Sequence, residues 1–358
     1  MEPRIGTEMN QIPGDTQWLL ARRTDGQYVL VVPLIDDALR FTLDGRSGYL
    51  RIWADSGDAF TVADAGVAAF VAVGTDPYLL QEQGAAAVAK HLKTVRLRHE
   101  KPLPDFIENF GWCTWDAFYR DVSSDKVRHG LQTFRDGGVE PRWLILDDGW
   151  LTNEQAPFGG DRLTSFEAHA TKFPGGLSPL VHMAKHEFSI RHLIVWHAFV
   201  GYWSGIDPQK FPQYVVRDLA RREMPLLGRD ATGYLQYFGL VCSTIEPQSI
   251  GAFFDDFHRM LAAQGVDGVK VDNQSSLEWT CDTLGGRVRA TKAYRKALEK
   301  SVHTHFQDRL INCMSNANEN FYHADSATVT RTSDDFWPLR PESHGMHLFT
   351  NAHVGMWF

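Results

Sequence analysis

Cysteine is scarce: Cys113, Cys242, Cys281 and Cys313 are the only four in 358 residues, and no two share a C-x-x-C spacing. Scattered thiols of this kind argue against a zinc site and give no reason to expect disulfides, so free thiols are the expectation. Long apolar runs are absent as well, and none approaches the roughly 18 residues of a membrane-spanning helix. The opening Met1-Glu2-Pro3-Arg4 lacks the basic-then-apolar layout of a secretion signal, so the expected location is cytoplasmic. Nor is there a basic block: 36 Lys and Arg stand against 44 Asp and Glu, a formal charge of −8. That balance excludes nucleic acid as a natural partner and fits a small neutral ligand better than a polyanion. No G-x-G-x-x-G or G-x-x-x-x-G-K-[ST] turn follows an apolar run, and H-E-x-x-H is missing, so neither a cofactor nor a metal is expected.

What is present points elsewhere. A hydrophobic content of 43% supports a sizeable core, enough for one large domain and a smaller one. The 11 Trp, 10 Tyr and 22 Phe are mostly core by expectation, but aromatic faces also pack against the apolar faces of sugar rings. Up to Pro77 the chain reads as short strands, Gln17–Ala21, Tyr28–Leu34, Leu39–Leu43, Gly48–Trp53 and Ala59–Val62. Turn pairs such as Asp25-Gly26 and Asp44-Gly45 separate them, the pattern of antiparallel hairpins. Residues 1–80 are therefore expected to form part of a β-sandwich domain. An alanine-rich helix, Gln81–Leu97, and a proline-containing stretch make 81–105 a linker, and 106–358 a second domain.

In that second part strands alternate with helices. Strands are expected at Phe110–Trp115, Trp143–Leu146, His192–Phe199, Phe238–Ser243, Val266–Asp272, Leu310–Met314 and Ala327–Thr332. Between them, Ser123-Ser124 starts a helix with Val127, Leu131 and Phe134 on one face, and Gln248–Ala263 spaces Ile250, Phe253, Phe254, Phe257 and Leu261 helically. Leu151–Gly176 reads as a long loop and Gly201–Leu235 as an irregular aromatic insertion. Repeated βα units with acids and tryptophans at strand ends predict a (β/α)8 barrel of the TIM type rather than a doubly wound sheet.

In such barrels the C-terminal strand ends form the working face. Gathered there are Trp112 and Trp115, Asp147 and Asp148, Trp196 and His197, Lys270 and Asp272, Cys313, and Arg331 with Asp334 and Asp335. Lys270 and Asp272 share one side of their strand. Taken alone, Asp272 could equally cap the next helix or pair with Lys270. Together the residues make a neutral-sugar constellation: acids to accept hydroxyl hydrogen bonds, an aromatic platform, and two carboxylates for bond cleavage. Asp272 and Asp334 are the natural couple, although Asp335 could serve in place of Asp334. His197 and His344 are expected in packing roles.

Six stretches, Phe110–Phe118, Leu146–Trp150, Lys172–Leu177, Val195–Ala198, Val269–Gln274 and Arg331–Phe336, also resemble in order the raffinose synthase and seed imbibition protein group. That group lies in glycoside hydrolase family 36 of the α-galactosidase clan. The resemblance implies a retaining enzyme on α-galactosides (raffinose-family sugars or galactinol-like donors), working by hydrolysis or by transfer through a covalent galactosyl intermediate. It places Asp272 as nucleophile and Asp334 as acid/base, with Asp147, Asp148, Lys270 and Arg331 on hydroxyls and Trp115 and Trp196 around the ring. Relatives have a larger N-terminal sandwich and further barrel strands, so the chain reads as truncated, and an inert or weakly sugar-binding fragment is the alternative. Trp203 in the aromatic insertion is the expected wall of an acceptor subsite.

Overall fold

The computed structural model describes residues 3–63, 65–222 and 238–357. The aromatic insertion expected at Gly201–Leu235 thus lies outside the described residues from 223 onward.

Two small antiparallel sheets begin the chain. β1 (Leu19–Arg22), β2 (Tyr28–Pro33) and β5 (Ala69–Gly74) make one, in the order β1-β2-β5, and β3 (Arg40–Asp44) pairs with β4 (Arg51–Asp55) in the other. Ala59–Val62, expected as a strand, is a turn closed by the Thr61 N–H donating to the Asp58 carbonyl at 3.3 Å. The strand comes ten residues later, as β5. Helix α1 (Pro77–Leu92) starts before position 81 because the Asp76 side chain accepts from the Tyr78 and Leu79 N–H groups, with Pro77 pre-set in the first turn. Its buried Leu80 and Val88 pack with Leu30, Val32 and Phe70, so the segment read as a linker is, as far as Leu92, part of the N-terminal core.

The larger unit is built on one sheet. Strands β6 (Gly111–Cys113), β7 (Trp143–Leu146), β10 (His192–Ala198), β13 (Gly268–Asp272), β14 (Leu310–Asn312) and β15 (Val329–Thr330) lie side by side in chain order. All five pairings are parallel. Short helices α2 (Trp115–Phe118) and α7 (Asn318–Phe321) and helices α3 (Ser124–Asp136), α4 (Ser178–Phe188), α5 (Ile250–Ala263) and α6 (Gly286–Phe306) fall in the crossovers, and α8 (Pro341–Trp357) follows β15. Six parallel strands in sequence order, each crossover helical, are the greater part of a (β/α)8 barrel. Gly111 has to be glycine here, because a Cβ would stand 2.0 Å from the Trp143 indole on the neighbouring strand.

Two expectations need correction. The strand read at Phe238–Ser243 is β12 (Val241–Ile245), which pairs antiparallel with β11 (Val216–Ala220) outside the barrel sheet. Consequently β10 bonds β13 directly, Ile194 through Ala198 against Gly268 through Asp272. The loop read at Leu151–Gly176 contains a hairpin, β8 (Leu151–Gln155) with β9 (Asp161–Ala168). Its polar residues Thr152, Asn153 and Glu154 gave no apolar run to signal a strand.

The core lies between this sheet and its helices. Val269, Val271, Phe253, Phe254, Phe257 and Leu261 are all fully buried, as the apolar spacing required. Into it the back face of β10 also sends His197, whose Nε2 meets Nε2 of His258 at 3.1 Å. His258 Nδ1 in turn lies 2.9 Å from the Ser301 hydroxyl. Burial pushes His197 down to about 4 and His258 well below the ordinary imidazole value, so both are neutral. Because the unfolded chain binds these protons near pH 6.5 and the folded chain does not, stability falls as pH drops from about 6.5 to about 4 and is unaffected above that window. For His197 alone the loss amounts to about 3 kcal/mol. Denaturant midpoints at pH 7.5 and pH 5 test this: the wild type should weaken markedly, and His258→Gln should weaken less. A wild-type midpoint level across that interval would rule the neutral pair out as the acid-sensitive element.

Candidate active site

The strand registers fix the site. Leu146 of β7 lies opposite Val195 of β10, and Trp196 lies opposite Lys270 of β13, so the next residue of β7, Asp147, is brought level with Trp196 and Lys270. Lys270 Nζ reaches Asp147 Oδ2 at 2.6 Å, and the Cys113 thiol donates to the same oxygen at 3.2 Å. Burial alone would strip the Lys270 proton, but the carboxylate of Asp147 outweighs it and holds the ammonium above its usual range.

Asp148 is held more firmly still. Its Oδ1 accepts from the Tyr202 hydroxyl at 2.6 Å, and its Oδ2 from Trp203 Nε1 at 2.9 Å and Arg120 Nε at 3.0 Å. Burial raises the pKa of this carboxyl while Arg120, Trp203 and Tyr202 oppose the rise. Arg120 gets close because Gly149, at φ 111°, leaves room: a Cβ there would be 2.6 Å from the Arg120 backbone. Nothing near Arg120, Tyr202 or Cys113 in sequence signals these roles, since each acts across separate strands and loops.

Asp272 ends β13, buried at 7% exposure. Trp196 Nε1 donates to its Oδ2 at 3.1 Å, and the Asn273 N–H donates to Oδ1 at 2.7 Å, the latter made possible by the left-handed turn at Asn273 (φ 62°). Below it a buried frame fixes the strand end: Arg295 donates to Gln274 Oε1 at 2.9 Å, and Gln274 donates to the Val271 carbonyl at 3.0 Å.

One cavity is lined by Asp272, Asp147, Asp148 and Lys270 together with Trp115, Trp196, Trp203, Met314, Arg331 and Asp335. Eight of the twelve residues gathered at the strand ends line it, and Trp112, His197, Cys313 and Asp334 do not. Asp334 is exposed and does not line the cavity, whereas Asp335 does, joined to Arg331 Nη1 at 2.5 Å. β15 ends at Thr330, so strand alternation no longer governs where residues 334 and 335 point. Cys313 is fully buried and does not line the cavity, but its thiol is hydrogen-bonded to Asp272 and lies beside Lys270 and Arg331; burial first, and the charge of Asp272 next, hold it well above the ordinary range. Trp203, expected at an acceptor subsite, lines this same cavity, with its indole N–H donating to Asp148 and its ring 5.5 Å from Trp196. His344 stacks on Phe336 at 4.7 Å, outside the cavity lining. Among the described residues no three His, Cys, Asp or Glu side chains gather as a metal site requires.

Over 395 residues the chain is 33% identical to a probable galactinol–sucrose galactosyltransferase 1 of Arabidopsis thaliana, covering 99% of this chain and 52% of that one. It is 26% identical to a stachyose synthase of Pisum sativum, over 99% of this chain and 54% of that one. The chain thus spans about half the length of the curated relatives it matches. An α-galactosidase from Thermus thermophilus in complex with stachyose shares the fold, with a TM-score of 0.59 at 17% identity over 96% of this chain and 67% of that one. The family model for raffinose synthase or seed imbibition protein Sip1 matches residues 1–358, the whole of the sequence, and to that family the chain belongs.

Proposed function

We propose that the protein transfers α-galactosyl groups, to a sugar hydroxyl or to water, by a retaining mechanism. The observation carrying this is the pair Asp272, at the end of β13, and Asp335, in the turn beyond β15, carboxylates that line one cavity with Asp147 and Asp148. Asp272 attacks the anomeric carbon, forming a β-linked galactosyl ester as the bond to the leaving oxygen breaks and Asp335 gives that oxygen its proton. Asp335 then takes the proton of the incoming hydroxyl as its oxygen displaces Asp272, and the α-linkage is restored. A carboxylate offers about four lone-pair sites. Lys270, Cys113 and the Asp148 N–H take three on Asp147, and Tyr202, Trp203 and Arg120 take three on Asp148. One site remains on Oδ1 of each, which suits two neighbouring galactose hydroxyls.

The relatives' names support galactinol-like donors and sucrose or raffinose-type acceptors for this chain. The four thiols, none of them in a disulfide, are in keeping with a reducing, cytoplasmic compartment. The test is to follow the first-formed product of an aryl α-galactoside by nuclear magnetic resonance, with and without sucrose present. α-Galactose first, or an α-galactosylated sucrose, supports the reading. β-Galactose first would make the enzyme inverting, and a folded chain that turns over nothing would favour an inert fragment.

A further inference from the structure

We propose that Arg40 is a positioning residue for the candidate active site: from β3 of the N-terminal unit it holds, through Glu278 and Glu319, the two loops that follow the strands leading to Asp272 and Met314. This rests on the reading of Asp272 given above. Glu278 lies in the turn Gln274–Trp279, immediately beyond Asp272 and Asn273, and Glu319 lies in α7, just beyond Met314. Arg40 Nη1 reaches Glu278 Oε2 at 2.5 Å and Glu319 Oε1 at 3.6 Å. Arg287 closes the group from the other side, 3.2 Å from Glu278 and 2.8 Å from Asp55 at the end of β4.

Four of these side chains are almost out of solvent, at 11% exposure for Arg40, 12% for Glu278, 9% for Arg287 and 1% for Glu319. Neither oxygen of Glu319 has a hydrogen-bond donor within reach, so its charge depends on the two guanidinium groups alone. In so poorly solvated a place an uncompensated carboxylate is strongly unfavourable, which makes each arginine indispensable to the loops it faces. The backbone reinforces the arrangement. The Arg287 N–H donates to the Ser56 carbonyl at 2.7 Å, Gln17 Nε2 to the Asn316 carbonyl at 3.0 Å, and Asn318 Nδ2 to the Phe41 carbonyl at 3.4 Å. The Ser275 N–H donates to the Met314 carbonyl at 2.7 Å, so the two loops move as one. Arg40 does not line the cavity, yet Glu278 and Glu319 follow Asp272 and Met314, which do, by six and five residues.

The experiment compares the full 358-residue chain with its Arg40→Met, Arg40→Lys and Arg40→Met/Glu278→Gln variants. Amide hydrogen exchange should rise about tenfold or more across residues 274–284 and 315–322 in Arg40→Met, with α5 and β7 unchanged. Arg40→Lys should lie between, and the double variant should regain part of the protection because the unpaired carboxylate is gone. On an aryl α-galactoside, kcat should fall about tenfold with KM within threefold, since the nucleophile is misaimed while the sugar contacts of Asp147 and Asp148 stay. Unchanged exchange in the two loops, an equal rise throughout α5, or looser loops with undiminished kcat would each overturn the proposal. A wild type that cleaves no galactoside counts against the proposed function instead, and the exchange data still decide whether Arg40 holds the loops.

Discussion

Asp272→Ala is expected to lower turnover of an aryl α-galactoside by about 10⁴-fold or more, the scale on which removal of a covalent nucleophile operates. Azide should restore part of the rate and be recovered as β-galactosyl azide, because the small anion occupies the space vacated by the carboxylate and attacks from the same face. The site argues for so large an effect. Asp272 is immobilised by Trp196 Nε1 and by the Asn273 N–H, so its oxygens are held in place before substrate arrives. The substitution leaves the Trp196 indole N–H without its acceptor, a loss of about 1–3 kcal/mol. A denaturation curve therefore accompanies the assay, to separate chemistry from folding. Recovery of α-galactosyl azide, or a variant within tenfold of wild type, would remove Asp272 from the nucleophile's role.

The second large effect separates two adjacent acids. Asp335→Ala should slow transfer from a donor with a sugar leaving group by about 10²–10⁴-fold, the range for a general acid, and slow a dinitrophenyl galactoside far less, since that leaving group departs without a proton. Asp334→Ala should stay within about twofold on both, as its carboxylate is exposed and clear of the cavity. Measuring both variants on both substrates decides the matter: a leaving-group-dependent loss in Asp334→Ala, with none in Asp335→Ala, would return the acid to position 334.

That pair shows where sequence reasoning reaches and where it stops. Asp272 was legible because Val266, Val269 and Val271 announce a buried strand and an acid closes it; alternation then puts Lys270 on the same side, and the structure agrees. Asp147 and Asp148 were legible for the same reason at the end of Trp143–Leu146. The rule leaves residues 334 and 335 undecided because β15 is two residues long and the acids lie in the turn beyond it, where Arg331 pairs with Asp335 at i+4. Cys313 sits at a strand end like the others and its thiol lies beside Asp272, Lys270 and Arg331, but it is buried beneath the cavity and does not line it. Arg120, Tyr202 and Cys113 converge on the two β7 acids from separate elements, and no local pattern encodes a convergence of that kind. In the same way β12 carries a good strand sequence, and only its pairing with β11 shows that it belongs outside the barrel.

Direct bonding of β10 to β13 has a further meaning for how such a protein can diversify. Among the described residues between Ala198 and Gly268 none joins the sheet, so that span is an excursion and not a rung of the ladder. Lengthening it adds only a slowly growing closure cost, roughly 0.6 kcal/mol for each doubling of a flexible loop. The pairing that sets Trp196 beside Lys270 is made by the two strands themselves, so surface residues of that span can vary while the aim of Asp272 is inherited intact.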